Sequence, residues 1–160
     1  MTVAAKREWY LEYEITTNRA GLLGDISSLL GMMGISIVTI NGIDRNRRGL
    51  LIKSDDLEKV ERFENIVREI EEISITKLRE PELRDRLAVR HGRYIKQDAD
   101  DKKTFRFERA DLGLLVDFMA ELFKEKGHKL IGIRGMPRVG KTESIVASSV
   151  CCLLYTSLSG

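Results

Sequence analysis

Residues 9–37 read WYLEYEITTNRAGLLGDISSLLGMMGISI and decide the fold of the amino-terminal part of the chain. Apolar side chains alternate along 9–16, which predicts a β-strand that buries one face. After a turn at 18–21, apolar side chains recur every three or four residues, which predicts a helix with one buried face. Gly34 is the expected stop of that helix, because glycine readily adopts the left-handed conformation at a helix end.

The residues that follow extend this pattern into a small domain. Two apolar runs at 35–43 and 49–54, joined by a polar and basic link, predict an antiparallel hairpin. A second helix is expected from about Asp56, and 73–78 alternates as a closing strand. The order βαββαβ within 8–79 predicts a ferredoxin-like α+β sandwich, in which two helices cover one face of an antiparallel sheet.

Outside this domain the composition changes. Residues 1–7 are expected to be disordered, and 80–103 is dense in charge and is interpreted as a linker whose first half could form a short helix. Beyond the linker, the pattern predicts a short strand at 104–108, a helix at 110–126 with one apolar face, and another short strand at 129–133. We therefore expect a second domain over 104–151.

The second domain carries a phosphate-binding motif. Residues 135–142 read GMPRVGKT, which is the GxxxxGK[S/T] pattern of a P-loop. The predicted strand ahead of it and the helix expected from Lys141 are the elements on which such a loop is built, so we predict the start of an α/β P-loop NTPase domain. The nucleotide-binding candidates are Gly135, Met136, Pro137, Arg138, Val139, Gly140, Lys141 and Thr142.

Each part of this motif has a chemical role in holding ATP or GTP. The two glycines let the backbone amides approach the phosphates, and Lys141 is expected to reach the β and γ phosphates. Thr142 is expected to coordinate Mg²⁺ through its hydroxyl, so the predicted cofactor is Mg²⁺ with the nucleotide. The alternative is that Gly135 and Gly140 only form a turn and that Lys141 is a solvated helix lysine.

Only 18 residues follow Thr142, and hydrolysis usually needs an acidic residue on a later strand. This fragment is therefore not expected to be catalytic by itself. Residues 152–157 read CLLYTS, which one frame of a transposon-end sequencing adaptor also encodes, so we interpret 152–160 as a non-native or frayed tail. The alternative is that the uncharged end of the chain is the buried helix and following loop of a small domain.

The amino-terminal stretch also supports a family interpretation. Residues 18–37, NRAGLLGDISSLLGMMGISI, resemble the signature of ACT domains, which are small regulatory modules of the βαββαβ type. The resemblance covers about 8–79 and departs at Asn18 and Ala20, where that family commonly has Asp and Pro. The complete arrangement, with RDRLAVRHGRYI at 84–95 and GIRGMPRVGKTES at 132–144, resembles an uncharacterised bacterial family that pairs these two parts.

The ACT-like resemblance implies a ligand site. In that family a small ligand, often an amino acid, lies near the first loop and helix start at an interface between paired modules, which here implies a homodimer. The amides at a helix start also attract a carboxylate on physical grounds. The candidates by resemblance are Asn18, Arg19, Gly21, Leu22 and Leu23. The alternative is that Leu22 and Leu23 belong to the core and the module only dimerises.

Composition excludes several classes of function. The chain has 27 basic and 25 acidic side chains and a net charge of +2, which argues against a surface dominated by nucleic-acid phosphate contacts. No apolar run is long enough for a membrane span and the first residues lack a secretory pattern, so a cytoplasmic location without membrane contact is expected. The two cysteines, Cys151 and Cys152, are adjacent and fit neither a disulfide framework nor a zinc site.

These observations lead to three hypotheses. The first is a cytoplasmic regulatory nucleotide-binding protein, in which an ACT-like module senses an amino acid or pairs subunits and a P-loop binds ATP or GTP. The second is an NTPase or kinase whose catalytic half is missing from this fragment. The third is a nucleic-acid-binding regulator, which depends on the basic stretch at 84–96.

Overall fold

The structure is a computed structural model of the chain, and it describes residues 6–97, 99–100, 104–124, 132–134 and 141. The chain divides into two compact units, with the division between Tyr94 and Ile95. The elements of the first unit are β1 (Arg7–Ile15), α1 (Leu22–Met32), β2 (Ser36–Gly42), β3 (Arg47–Ser54), α2 (Leu57–Arg68), β4 (Ile73–Arg79) and α3 (Leu83–His91). Those of the second unit are β5 (Lys96–Gln97), β6 (Phe105–Arg106), a short 3₁₀ turn (Arg109–Asp111) and α4 (Leu112–Lys124).

The first unit is built on a four-stranded sheet with the strand order β2-β3-β1-β4. Each neighbouring pair is antiparallel, and in the centre of the sheet Leu11 lies opposite both Leu50 and Leu78. The predicted βαββαβ order and the predicted hairpin of β2 and β3 are confirmed. The unit is therefore an α+β unit with an antiparallel sheet, and β1 begins at Arg7, inside the stretch that was expected to be disordered.

The apolar stripes of α1 and α2 form one continuous core with the sheet. In α1 the buried side chains are Leu22, Ile26 and Leu30, and in α2 they are Val60, Phe63 and Val67. Both sets follow the helical repeat, so each helix turns one face inward. They pack against the sheet residues Leu11, Tyr13, Leu50 and Ile52. Full burial of one large aliphatic or aromatic side chain contributes about 1.5–3 kcal/mol, so this cluster, which is larger than the one on the other face of the sheet, makes the larger hydrophobic contribution.

Local signals place the ends of these helices. Gly34 has a φ of 71°, its N–H donates to the carbonyl of Gly31, and the N–H of Ile35 donates to the carbonyl of Leu30. These bonds satisfy carbonyl groups that the end of a helix leaves open, so the predicted stop at Gly34 is confirmed. Asp56 precedes α2, and its carboxylate accepts a hydrogen bond from the N–H of Glu58. That contact is a standard amino-terminal cap.

The opposite face of the sheet is covered by α3, which is the short helix that the first half of 80–103 could form, and this helix packs on the first unit. Ala88 and Val89 of this helix pack with Tyr10, Ile43 and Leu51 of the first unit. The helix is defined at its start by a reciprocal capping box between Glu82 and Asp85, and at its end by Gly92 with a φ of 69°. The physical reason for this packing is that the second face of the sheet carries the apolar side chains of Tyr10 in β1 and Leu51 in β3, which need a cover.

The second unit contains the short antiparallel pair of β5 and β6, in which Lys96 lies opposite Arg106. The strand predicted at 104–108 is seen as β6, and the helix predicted at 110–126 is seen as α4. Phe118 of α4 contacts Phe105 and Phe107, with ring centroids 5.0 and 5.8 Å apart. Residues 132–134 have no regular secondary structure. The rest of the strand predicted at 129–133, and the tail at 152–160, lie outside the described residues.

Candidate functional site

The five residues of the predicted small-ligand site lie in the loop before α1 and at the start of that helix, but their side chains have different environments. Gly21 adopts a φ of 81° and directly precedes the helix, a conformation that residues with a Cβ rarely adopt. No side chain caps this helix start, and the carbonyl of Gly21 accepts a hydrogen bond from the N–H of Asp25. A helix start without a side-chain cap is where an anionic group is electrostatically favoured.

Arg19 is engaged within the chain. Its guanidinium lies 2.9 Å from Glu72, in the turn before β4, and 2.7 Å from Asp25, in the first turn of α1. Hydrogen bonds to Asp25 and Glu72 raise the pKa of Arg19, and the bond from Arg19 lowers the pKa of Glu72. A carboxylate ligand that used Arg19 would therefore have to compete with these two internal carboxylates.

The remaining candidates at this loop separate into core and surface. Leu22 is 3% exposed and packs in the core with Ile26 and Leu30, whereas Leu23 is 49% exposed. Asn18 is exposed. Leu22 therefore anchors the loop in the core and cannot contact a ligand at the surface. The exposed side chains of the loop and the helix start that remain available are those of Asn18, Arg19 and Leu23.

Of the predicted nucleotide-binding residues, Lys141 is the one that the structure describes. It is half-buried and its backbone is helical. The other members of the motif lie outside the described residues; they are Gly135, Met136, Pro137, Arg138, Val139, Gly140 and Thr142. The expected roles of these residues in phosphate and Mg²⁺ binding, including that of Thr142 as a metal ligand, stay predictions.

The second face of the sheet holds a buried charged group that the sequence interpretation missed. Glu12 in β1 is 1% exposed, and its carboxylate accepts hydrogen bonds from Tyr10 at 2.6 Å, Thr76 at 2.9 Å and Lys77 at 3.2 Å. Arg47 of β3 lies 3.8 Å from the same carboxylate. The partners of Glu12 thus come from β1, β3 and β4, which are all strands of the sheet.

The protonation of this group follows from its surroundings. Burial alone would raise the pKa of Glu12, but the hydrogen bonds from Tyr10 and Thr76 and the charge of Lys77 hold it below its usual value. Burial and the neighbouring Glu12 carboxylate raise the pKa of Tyr10. At neutral pH Glu12 is therefore an anion and Tyr10 is a neutral hydrogen-bond donor.

A second buried carboxylate belongs to α3. Asp85 is fully buried and lies 2.7 Å from the guanidinium of Arg79 at the end of β4. It also accepts hydrogen bonds from the hydroxyl of Tyr94 at 3.2 Å and from the N–H of Glu82 at 2.8 Å. The ammonium of Lys77 lies 4.2 Å from the centre of the Tyr94 ring, which places the Glu12 and Asp85 groups side by side.

One signal could have identified this second face from the sequence. Tyr10 alternates with the predicted inward-facing residues of β1, so an aromatic side chain on the other face indicated that this face was also covered. Glu12 and Asp85 gave no such signal, because charged residues are usually exposed.

Among the described residues, no group of three or more His, Cys, Asp or Glu side chains could hold a metal ion. In the same part of the chain, no helix has the length and apolar character that crossing a membrane requires.

Two comparisons relate the chain to known proteins. Residues 75–155 match the family described as "Protein of unknown function (DUF3388)", and the matched residues include α3, α4 and the GMPRVGKT motif. The chain is also 74% identical over 147 residues to "Uncharacterized protein YmfK" of Bacillus subtilis (strain 168). That alignment covers 92% of this chain and 55% of the relative, so the chain spans about half the length of this curated protein. Because the family match covers half of its residues, the chain belongs to the DUF3388 family, and the prediction of an uncharacterised family with bacterial members is confirmed.

Proposed function

We propose that this protein is a regulatory nucleotide-binding protein that holds ATP or GTP, together with Mg²⁺, at the loop 135–142. The observation that carries the proposal is the sequence GMPRVGKT, in which each position that phosphate binding requires has the appropriate residue. The helical backbone at Lys141 supports it, since a P-loop ends at the start of a helix. The motif lies inside the residues that match the family.

The test is nucleotide binding by the full-length gene product, measured by calorimetry in the presence of Mg²⁺. Lys141→Ala removes one charge-assisted contact to the phosphates, which is worth about 1.5–3 kcal/mol. We expect the affinity to fall roughly ten- to a hundredfold. Lys59→Ala is the matched control, because Lys59 is a surface lysine of α2 that pairs with Asp55. Unchanged affinity in the Lys141 variant would exclude the proposed loop as the binding site.

We further propose that the first unit is an ACT-like module that binds a small molecule with a carboxylate, such as an amino acid, at the start of α1. The βαββαβ order and the uncapped helix start behind Gly21 support this assignment. If the module regulates nucleotide binding, an amino acid that changes nucleotide affinity must have its own affinity changed by the same factor. Calorimetric titrations with an amino-acid panel, with and without nucleotide, measure both factors, and independent curves would contradict regulation.

The same module is proposed to pair with a second copy of the chain. The outward side of α1 carries Leu23 and Met32, which are 49% and 80% exposed, with Gly24, Ser28 and Gly31 between them. The one charged residue on this exposed side of α1 is Asp25, which is 59% exposed and pairs with Arg19, so the rest of the surface has little charge to desolvate when another helix approaches. Met32→Lys should weaken self-association by about ten- to a hundredfold, since burying one large apolar side chain is worth about 1.5–3 kcal/mol.

Sedimentation velocity over a range of concentrations measures this effect. Leu57→Lys on α2 is the control, because Leu57 is 52% exposed but lies on a different helix. A monomer at every concentration, or an equal effect of the control, would contradict pairing through α1.

A second candidate function is an NTPase or kinase. The observation that favours it is that the chain spans only 55% of its Bacillus subtilis relative, so a catalytic acid and substrate site could lie in the remaining length. Phosphate release by the full-length protein distinguishes an enzyme from a binder. The nucleic-acid alternative has weaker support, because Arg84 and Arg86 of the basic stretch pair with Glu82 and Glu8.

A further inference from the structure

The connection from β2 into β3 gathers three arginines around one carboxylate. Residues 44–48 read DRNRR, and we call this segment the basic turn. The carboxylate of Asp44 accepts a hydrogen bond from the backbone N–H of Arg45 at 2.6 Å and lies 3.3 Å from the guanidinium of Arg47. The acidic residue of the basic turn is therefore engaged within the turn itself.

The guanidinium of Arg48 is folded back over the same turn without meeting a carboxylate. Its Nη1 donates to the carbonyl of Asp44 at 3.4 Å and to that of Arg47 at 3.2 Å. Carbonyl groups are neutral, so these bonds fix the position of the charge without cancelling it. In the described part of the chain, Nε and Nη2 of Arg48 have no hydrogen-bond partner. These two nitrogens form the edge through which a guanidinium binds an oxyanion at two points, so that edge is available.

The side chain of Arg45 adds a second charge to the basic turn. It is exposed, and no carboxylate among the described residues pairs with its guanidinium. Arg47 differs, because it pairs with Asp44. Turn formation explains Asp44 and Asn46, which are typical turn residues, but it does not require arginine at 45 or 48. The two uncompensated charges therefore point to an anion from outside the turn.

The backbone of the basic turn is fixed to the sheet. The N–H of Ile43 donates to the carbonyl of Arg47 at 3.0 Å, and the N–H of Ile15 in β1 donates to the carbonyl of Asn46 at 2.7 Å. The side chain of Ile43 packs with Tyr10 in the cluster on the second face. A site whose backbone is ordered before binding loses less conformational entropy when the ligand arrives.

The surroundings of the basic turn favour a compact ligand. The large exposed apolar side chains of the described residues lie outside 42–48, so a partner would be recognised there by charge. Carboxylates flank the turn: Glu14 is exposed and lies opposite Arg47 in the sheet, and Thr16 bonds to the backbone of the exposed Glu71. An extended polyanion such as a nucleic acid would have to pass these carboxylates. A phosphate monoester instead places a charge of about −1.5 to −2 and three acceptor oxygens in one small group.

We infer that the basic turn is a binding site for the phosphate monoester group of a small molecule, contacted by Arg45 and Arg48. Arg48 is held over the turn by the two carbonyls and presents its free edge, and Arg45 contributes the second charge from the exposed side. Arg47 stays paired with Asp44. The site is separate in sequence from the loop 135–142 and from the loop before α1, and it does not depend on either proposed function.

An NMR titration of the isotope-labelled whole chain tests the inference. Inorganic phosphate, glycerol 3-phosphate and acetate are added separately at constant ionic strength. The backbone amide signals of 43–48 are followed apart from that of Lys141, because the proposed nucleotide loop also attracts phosphate. We expect the signals of 43–48 to shift saturably with glycerol 3-phosphate and with inorganic phosphate, at an affinity at least about tenfold higher than for acetate.

Three results of this titration would overturn the inference. They are the absence of a saturable shift at 43–48, equal affinities for acetate and the phosphate compounds, and binding of inorganic phosphate without binding of glycerol 3-phosphate. The last result would mean an adventitious ion only. A shift at Lys141 without one at 43–48 would leave the proposed nucleotide site intact and still overturn the site at the basic turn.

Arg45→Gln and Arg48→Gln test the contacting residues, since each removes one charge and keeps a polar side chain. We expect each to raise the half-saturating concentration of glycerol 3-phosphate about tenfold. Arg62→Gln is the matched control, because Arg62 is an exposed arginine of α2 that also lacks a carboxylate partner among the described residues. Arg48 also braces two carbonyls, so Arg45→Gln decides the outcome if Arg48→Gln does not fold. Unchanged affinity in Arg45→Gln, or an equal loss in Arg62→Gln, would overturn the assignment.

Discussion

The two faces of the first unit's sheet are covered in different ways. On one face α1 and α2 bury a continuous apolar core that includes Leu30, Ile52 and Phe63. On the other face α3 covers a smaller apolar cluster beside two buried carboxylates, Glu12 and Asp85. This difference shows that the burial of a side chain does not by itself measure its contribution to stability, because a buried charge has a desolvation cost that a buried hydrocarbon does not have.

The largest effect is expected on the apolar face. Phe63 is fully buried at the centre of α2, so Phe63→Ala should reduce the free energy of unfolding of the first unit by about 3–5 kcal/mol through lost contact and a residual cavity. Urea denaturation followed by the fluorescence of Trp9, the single tryptophan of the chain, measures this loss. Ile66→Ala is the control on the same helix, since Ile66 is 42% exposed. A comparable loss in both variants would break the contrast between buried and exposed positions.

A smaller and pH-dependent effect is expected on the charged face. Glu12→Gln keeps the size of the side chain but removes the charge beside Lys77, so at neutral pH it should cost about 1–3 kcal/mol. The folded-state pKa of Glu12 is lowered, so its charge contributes stability above the unfolded pKa of about 4.3. That contribution is lost as the pH falls through the lower folded-state pKa.

The stability difference between the unaltered protein and Glu12→Gln should therefore be largest near neutral pH and shrink in acid. Urea denaturation at several pH values between neutrality and the acid limit of folding measures it. Glu14→Gln is the matched control, because Glu14 lies two residues further along β1 and is exposed, so it should change stability by no more than about 0.5 kcal/mol. A difference that grew as the pH fell would show that Glu12 is not stabilised as an anion.

The contrast between the faces also explains which parts of the fold the sequence predicted. The elements on the apolar face follow clear periodicities, and α1 and α2 begin within about one residue of their predicted starts at Leu22 and Asp56. Gly34 was identified as a helix stop because its chemistry is local. Where apolar residues repeat and the ends carry their own signals, the sequence is sufficient to predict the element.

The cover on the second face could not be predicted in this way. Its most buried members include Glu12 and Asp85, and a charged residue in a strand or a charge-dense segment is normally interpreted as exposed. The burial of Glu12 depends on Thr76, a hydrogen-bond partner that lies 64 residues further along the chain. No local sequence pattern reveals such a partner. At the candidate ligand loop the sequence placed the turn at Gly21 correctly, but the pairing of Arg19 with Glu72 also depends on distant residues.

The smallest effect is expected at that loop, where an ion pair is exposed instead of buried. Arg19 is 43% exposed, and its contacts to Asp25 and Glu72 compete with water, so Arg19→Met should lower the free energy of unfolding only slightly. Because exposed charges are screened by ions, this small loss should disappear at high salt, which urea denaturation at two salt concentrations measures. Arg79→Met is the matched comparison, since Arg79 faces the fully buried Asp85 and its loss leaves that carboxylate without its cation. Arg79→Met should therefore lower the free energy of unfolding more than Arg19→Met does, and most of that loss should remain at high salt. If the two variants lost equal stability and salt reduced both losses equally, the charged face would be open to water even with α3 in place.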